Sequence, residues 1–496
     1  MVAVTALAVP GAGPRRPDPF TLGVASGEPA PDGMVLWTRL APDPLSEDGL
    51  GGVGRRRTDV EWQLAEDEGF GRVVQSGLAT TGPQLGHSVH IELGGLAPGR
   101  EYFYRFRADG AVSPSGRTRT APEPSAMQPL TMCFASCAQY EHGHFTAYRR
   151  LAEDEPDLVL HLGDYLYEEA AGTFVAPGGN VRAHVGPESR TLADYRRRHA
   201  QYRTDADLRA AHAVAPWLVV FDDHEVADDW AGEVPGVPQP GFAARRVAAL
   251  RAYWENMPLR GAARPDGRHM ALHRRVGWGA LATFHMLDTR QYRDDQPCAG
   301  APGGDCPERT DPARTITGAA QERWLADGFA RSTTRWDVLG QQVFFARLDP
   351  LPGPGHGANP DAWDGYPGSR DRVVDAWTSA GVRNAVVLTG DVHTHWACDV
   401  RRRGDDPAAP VVGTELVTTS ISSGGDGSDD VPGAVLADNP HVQFFADRRG
   451  YVRTRFTAEE LRADFRVLPY VQRPGAPVQT RATFVAADRE PGLHPA

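Results

Sequence analysis

Lysine is absent from this sequence of 496 residues, so all 52 of its basic residues are arginines. The net charge is −12, and such an acidic balance argues against a surface that binds nucleic acid. It does not exclude anionic substrates, because bound metal cations can invert the local field. Arginine also suits bidentate contacts with phosphate groups.

Long hydrophobic runs are missing as well. No apolar stretch approaches the roughly 20 residues that a membrane-spanning helix needs. Apolar residues still make up 41% of the chain, which is enough for substantial cores, and the mean hydropathy is −0.42. We therefore predict a globular protein without a transmembrane segment, built as two or three domains or as one large domain with an appendage.

Cysteine is scarce, and its odd count of five leaves at least one thiol unpaired. Cys298 and Cys306 flank a loop rich in glycine and proline. They form either a disulfide that closes this loop or two free thiols. A disulfide would indicate an oxidising compartment.

The first residues contain a short apolar run that ends in small residues. Residues 1–18 read as the tail of a signal peptide whose start is missing, although a disordered leader would have the same composition. We predict an exported, extracytoplasmic protein.

Alternating patterns dominate residues 19–122. Val60, Trp62 and Leu64 lie on one face of a predicted strand, and a turn at Pro98 separates two further strands. This spacing predicts a small β-sandwich domain that resembles fibronectin domains, followed by a proline-rich linker. In residues 130–496, short apolar runs alternate with helical patterns, which indicates a catalytic domain with α/β layers.

Polar side chains follow several of these apolar runs directly. They are Cys137, Asp164, Tyr167, Asp222, Asp223, His224, Glu225, Asp391, His393 and His395. In a parallel sheet the strand ends would converge on one edge. Each residue has an ordinary explanation when taken singly: a helix cap, a structural histidine, a buried thiol or a core aromatic. Together, carboxylate, imidazole and thiolate groups are the ligands of a metal site.

Other catalytic motifs are absent from the sequence. There is no G-x-S-x-G elbow, no Walker A loop and no G-x-G-x-x-G sequence that opens a helix after a strand. A glycosidase with paired carboxylates would not explain the histidines and the cysteine.

Five segments carry a resemblance to a known family: ASCAQY, GDYLYEE, FDDHEVADDW, LDTRQYRDDQP and VVLTGDVHTHW, in this order. Together they resemble the PhoD-like alkaline phosphatases, which belong to the calcineurin-like metallophosphoesterases. The resemblance extends over nearly the whole chain. It implies a four-layer α-β-β-α core preceded by a small β-domain, and a site that holds Fe³⁺ with one or more Ca²⁺ ions.

The resemblance also assigns ligands. It implies that Cys137, Asp164, Tyr167 and His393 hold the iron. Asp164 would bridge to a neighbouring calcium ion, which Asp223 and Asp391 would also bind. Asp391 stands where purple acid phosphatases have the first histidine of their GHxH motif, and oxygen ligands favour calcium.

The sequence departs from the family at one point. The family often has a pair of asparagines after DDHE, whereas this chain has Asp228 and Asp229. These carboxylates would add negative charge to the site.

The implied reaction is the hydrolysis of phosphate monoesters, and of diesters as a further substrate class, by a metal-bound hydroxide or oxide. His224 would bind phosphate or protonate the leaving oxygen, or would instead orient Asp223. Arg290 would contact phosphate, or would hold its loop through salt bridges. A specialised phosphodiesterase or phospholipase and a non-catalytic binding protein are the alternative functions.

Overall fold

The computed structural model describes residues 17–300 and 306–496. The leader predicted for residues 1–18 therefore lies, up to residue 16, outside the described residues. None of the described helices is both long and apolar enough to cross a membrane.

The structure is built mainly from β-strands. In chain order the strands are β1 (Val24–Ala30), β2 (Gly33–Arg39), β3 (Thr58–Ala65), β4 (Val73–Thr81), β5 (Ser88–Glu92), β6 (Glu101–Ala108), β7 (Ala111–Val112), β8 (Gly116–Arg119), β9 (Leu130–Ala135), β10 (Leu158–Leu162), β11 (Pro216–Val220), β12 (Arg274–Trp278), β13 (Ala282–Met286), β14 (Trp336–Gly340), β15 (Ala385–Thr389), β16 (His395–Arg401), β17 (Val411–Val417), β18 (Gly427–Ser428), β19 (Val442–Arg448), β20 (Gly450–Phe456), β21 (Glu460–Val467), β22 (Gln479–Ala487) and β23 (His494–Pro495).

Helices connect many of the central strands. They are α1 (Thr146–Glu153), α2 (Leu192–Arg203), α3 (Ala206–Val214), α4 (Phe242–Asn256), α5 (Gly318–Arg331), α6 (Pro367–Ala380) and α7 (Gly433–Asp438). The start of α2 shows why such a segment becomes helical. Thr191 accepts a hydrogen bond from the Asp194 backbone and Asp194 returns one, so that the two residues form a capping box.

Two large mixed sheets form the centre of the molecule. The first has ten strands in the order β23-β22-β21-β20-β9-β10-β11-β1-β2-β5, with β9, β10, β11 and β1 parallel. The second has eight strands in the order β12-β13-β14-β15-β17-β16-β19-β18, with β13, β14, β15 and β17 parallel. Strands β10, β11 and β15 are buried along their whole length, as their nearly continuous apolar sequences require.

The two large sheets pack against each other through aromatic side chains. Phe284 of β13 and Trp336 of β14 make edge-to-face contacts with Phe456 of β20. The same hydrophobic cluster includes residues of α1 to α4. A second cluster joins the other face of the eight-stranded sheet to α5 and α6, through Phe329 and Trp377 among others.

The N-terminal strands contribute to two sheets. Strands β3, β4, β6, β7 and β8 form a separate antiparallel sheet, and their apolar residues share a cluster with β1, β2 and β5. However, β1 also pairs with β11 through Ser26 and Gly27, so the ten-stranded sheet continues across the predicted boundary. The division into domains at residues 19–122 and 130–496 stays a prediction.

Candidate metal centre

The ends of strands from both large sheets meet at one place. Cys137 follows β9, Asp164 follows β10 and Asp223 follows β11, while Asp391 and His393 follow β15 of the other sheet. The sequence suggested one edge of a single sheet; the structure instead brings together the edges of two facing sheets. A parallel bridge between Ser136 and Ser420 joins the sheets beside the site.

Two glycines permit this close approach. Gly163 has a φ of +108°, and a Cβ atom there would lie 2.4 Å from the Cβ of Asp222. A Cβ atom on Gly390 would lie 2.7 Å from Ser136. Gly163 and Gly390, which precede Asp164 and Asp391, therefore lie where strand ends approach too closely to leave room for a Cβ atom.

Four of the predicted ligands have unusual backbone conformations. The φ angles of Cys137, Asp164, Asp391 and His393 are 60°, 52°, 67° and 56°. L-residues rarely adopt positive φ, and such strain is concentrated at functional sites.

Cys137, Asp164 and His393 form the first group of possible ligands. Their ligand atoms all lie within 4.8 Å of one another. The Tyr167 hydroxyl lies between them, 3.2 Å from Asp164 Oδ2 and 3.0 Å from His393 Nε2. The structure thus brings together the four residues predicted to bind iron.

The electrostatics of this group fit a bound cation. Burial, reinforced by Asp223, raises the pKa of Asp164 well above its ordinary value. Burial and the Asp164 charge likewise raise the pKa of the Cys137 thiol, and burial lowers the pKa of His393 to about 3. Asp164 Oδ1 is buried without a hydrogen-bond partner among the described residues. A metal ion would supply that partner and would favour thiolate and carboxylate.

A second group of carboxylates adjoins the first. Ligand atoms of Asp223, Asp228 and Asp229 lie within 4.8 Å of one another, and Asp223 also groups with Asp164 and His224. The Asp229 backbone donates a 2.8 Å hydrogen bond to Asp223 Oδ2. Oxygen atoms at this spacing are suited to a hard cation such as calcium.

His224 faces a pair of glutamates. Its Nδ1 lies 2.9 Å from Glu168 Oε2 and 3.3 Å from Glu169 Oε1, and its Nε2 lies 3.7 Å from Asp228 Oδ1. Burial would lower the pKa of His224, but Asp223 and these glutamates outweigh burial and raise the pKa well above its ordinary value.

Two further predicted residues, Asp391 and His395, lie at the margin of the cluster. Asp391 is not a member of these close groups within residues 17–300 and 306–496, although its carbonyl oxygen lies 3.8 Å from Cys137 Sγ. Burial and the charges of Asp222 and Asp361 raise its pKa. His395 begins β16 and accepts a hydrogen bond from the Thr419 backbone, so its contacts are structural.

Arg290 lies beneath the cluster and is fully buried. Its guanidinium makes two hydrogen bonds to Asp361, of 2.8 and 2.7 Å, and one of 2.6 Å to Asp222. It also lies 3.7 Å from Asp223. These are the salt bridges that the sequence offered as the alternative to phosphate contact.

Sequence reasoning did not find several residues that contact the site. Ser423 donates to the Tyr167 hydroxyl at 2.7 Å, and Arg449 donates to the carbonyl oxygens of His393 and Ser423. Ser423 lies in a run of small residues and Arg449 is one of many arginines, so neither had a local signal. Glu168 and Glu169 lay inside a recognised motif but had no assigned role.

Comparisons with known proteins identify the family of this chain. The family model of the PhoD-like phosphatases matches residues 132–465, and that of their N-terminal domain matches residues 5–122. Alkaline phosphatase D of Bacillus subtilis (strain 168) is 48% identical over 486 residues, covering 96% of this chain and 82% of the relative.

Solved structures show the same relationship. A structure of PhoD superposes with a TM-score of 0.95 at 46% identity, covering 98% of this chain and 93% of the other. The purple acid phosphatase PPD1 from yellow lupin seeds shares the fold, with a TM-score of 0.56 at 13% identity and coverage of 94% and 73%. This chain therefore belongs to the PhoD-like phosphatase family and is a phosphoric ester hydrolase.

Proposed function

We propose that the cluster of strand ends is a metal-dependent centre that hydrolyses phosphate monoesters, with diesters as a second substrate class. The observation that carries this proposal is the grouping of Cys137, Asp164 and His393 around the Tyr167 hydroxyl. A thiol, a carboxyl, an imidazole and a phenol that share one buried space have a common use as metal ligands.

Cys137, Asp164, Tyr167 and His393 would hold Fe³⁺. Asp164, together with Asp223 and Asp391, would hold Ca²⁺, because calcium takes oxygen ligands. When bound, the metals supply Lewis-acid stabilisation of the phosphate charge and lower the pKa of a water nucleophile.

His224 would donate a proton to the leaving oxygen. Its Nδ1 is held by Glu168 at 2.9 Å, which orients the ring and leaves Nε2 on the side of Asp228. In this arrangement Glu168 fixes the imidazole and Nε2 carries the proton that moves. Arg290 would hold the loop beneath Asp223 rather than touch substrate, since its side chain is wholly enclosed.

The finer architecture and location are part of the same proposal. Two face-packed sheets with helices on their outer faces support a four-layer α-β-β-α core, and the shared cluster of β1 to β6 supports an N-terminal sandwich. Cys298 and Cys306 form a disulfide, which supports export to an oxidising compartment.

A pair of cysteine variants tests the centre. Cys137→Ala removes a proposed ligand, whereas Cys133→Ala removes another buried thiol, which lies within β9 and outside the close groups. Metal content is measured by elemental analysis, and turnover with p-nitrophenyl phosphate and its bis-ester. We expect Cys137→Ala to lose iron and most activity while Cys133→Ala retains both.

The ratio of monoester to diester turnover in the parent protein ranks the two substrate classes. Full iron content and full turnover in Cys137→Ala would refute the proposed ligand set.

A further inference from the structure

A cavity of about 280 Å³ lies beside the carboxylates that contact His224. Glu168, Glu169 and Asp228 line it, and each of these carboxylates also lies within 3.7 Å of the imidazole. The cavity therefore adjoins the carboxylates that surround His224, the proposed proton donor.

The cavity is strongly acidic. Glu188 completes a set of four carboxylates, against which Arg245 is the one cation in the lining. Arg245 is already engaged, because it pairs with Glu188 at 2.6 Å and lies 3.7 Å from Glu168. Negative charge therefore remains on the side formed by Glu169 and Asp228.

Glu169 provides an independent sign of a ligand. Its side chain is enclosed, with 8% of the residue exposed, yet it faces the cavity. Apart from His224 Nδ1 at 3.3 Å, its carboxylate has no hydrogen-bond partner on another residue in the part of the chain that the structure describes. His224 lies close to three carboxylates at once, so its imidazole offsets only part of their negative charge, and a further cation would complete the compensation.

The remaining walls distinguish an organic cation from a metal ion. Ala170, Phe174, Ala227 and Val237 give the cavity apolar sides. Phe174 and Val237 are 43% and 69% exposed, although such large apolar residues are usually buried. Glu168, Glu169 and His224 also have the spacing of metal ligands, but a calcium site needs oxygen ligands on most sides, which these apolar walls do not supply. An alkylammonium group has apolar methyl or methylene groups around its charge and is attracted to aromatic faces.

We propose that this cavity is a subsite for the alcohol part of the substrate, and that it selects phosphate esters whose alcohol carries an ammonium group. This inference rests on the proposed hydrolysis at the centre. Asp228 belongs to the same lining, and its side chain is 51% exposed.

A pair of isosteric substrates tests the proposal. Phosphocholine and 3,3-dimethylbutyl phosphate have the same shape, but only the first has a charged nitrogen. We expect kcat/KM for phosphocholine to be about tenfold higher or more, the factor that 1.4 kcal/mol produces. A ratio near one would overturn the proposal. Turnover of p-nitrophenyl phosphate tests the proposed function separately. If the centre does not hydrolyse phosphate esters, this substrate is not turned over either.

Two variants test whether the preference for phosphocholine arises in the cavity. Glu169→Gln and Asp228→Asn should bring the ratio of the two kcat/KM values towards one, whatever their effect on the rate with either substrate alone. Glu233→Gln is the control for general charge effects, since Glu233 is an exposed residue that pairs with Arg268 on the surface. That variant should keep the parent ratio.

Elemental analysis separates the organic cation from a metal. If Glu169→Gln loses one equivalent of calcium, the cavity is a metal site and the proposal is wrong. Unchanged metal content together with a reduced ratio supports the ammonium subsite.

Discussion

Replacing Arg290 with glutamine tests whether this residue holds the site or contacts substrate. The guanidinium is fully buried and pairs with Asp222 and Asp361. Its removal leaves the carboxylate of Asp222 in the interior without its cation, while Arg293 still pairs with Asp361.

The structure allows the size of the effect to be worked out. Breaking a buried ion pair on one side costs about 3–5 kcal/mol, and the lower end applies because Arg293 keeps half of the network. For 496 residues the entropy of unfolding is roughly 1 kcal/mol per degree, so the melting temperature should fall by about 3 °C. The KM for p-nitrophenyl phosphate should change by less than about threefold, since the Arg290 guanidinium is fully buried and its partners are carboxylates.

The assay combines differential scanning fluorimetry with steady-state kinetics. Arg196→Gln is the matched control, because Arg196 is also buried and pairs with a carboxylate, Glu255, away from the strand ends that form the site. It should lower the melting temperature comparably and leave KM unchanged. A variant at Arg290 that keeps the parent melting temperature but raises KM about 100-fold would show that the residue binds phosphate.

Three further predictions concern residues around and beyond the site. Ser423→Ala removes the hydrogen bond to Tyr167. If Tyr167 binds iron as proposed, the visible absorption band of an iron phenolate should shift in this variant, whereas Ser422→Ala, whose hydroxyl donates to the Gln139 carbonyl oxygen, should leave the band in place. Replacing Cys298 and Cys306 with serine should lower stability by about 2.5 kcal/mol, the value for closing so short a loop; reductant should then affect the melting temperature of the parent but not of the variant. Burial raises the pKa of Glu415 from 4.5 to about 7. Its neutral form stabilises the fold fully below pH 4.5, and this stabilisation is lost as pH rises through 7. The free energy of unfolding measured in urea should therefore fall by about 2.5 kcal/mol between pH 5 and 8, and by less in Glu415→Gln. If the free energy of unfolding depended on pH equally in the parent and in Glu415→Gln, this assignment would be contradicted.

Much of the site could be predicted because its residues share a position relative to strands. Asp164 and Asp391 each follow a glycine at the end of an apolar run, and this placement is visible in sequence. The fold class followed from the same alternation of apolar runs and helical patterns. The pairing of β1 with β11 could not be predicted, because it involves two residue pairs, which are too few to produce a pattern in the sequence.

Residues that contact the proposed ligands, such as Ser423, could not be predicted from the sequence for a physical reason. Ser423 lies 256 positions from Tyr167 in the chain, and the two meet only because the eight-stranded sheet faces the ten-stranded one. A serine in a loop has the same local sequence whether its hydroxyl bonds to water or to a ligand. Periodicity reports which face of an element is buried, but not which loop it meets.

The backbone conformation of the proposed ligands could not be predicted from their residue types, because these positions have positive φ angles. Glycine would adopt these angles without strain, yet Cys137, Asp164, Asp391 and His393 occupy them. Four of the 13 described non-glycine residues with positive φ therefore lie at this one site, and the surrounding sheets must supply the compensating stability. Replacing Asp164 with glycine would relieve the strain and remove the ligand together, whereas asparagine, which tolerates positive φ, keeps the conformation and changes only the charge. If Asp164→Asn is no less stable than the parent but loses metal, then the strain at this position serves to aim the carboxylate.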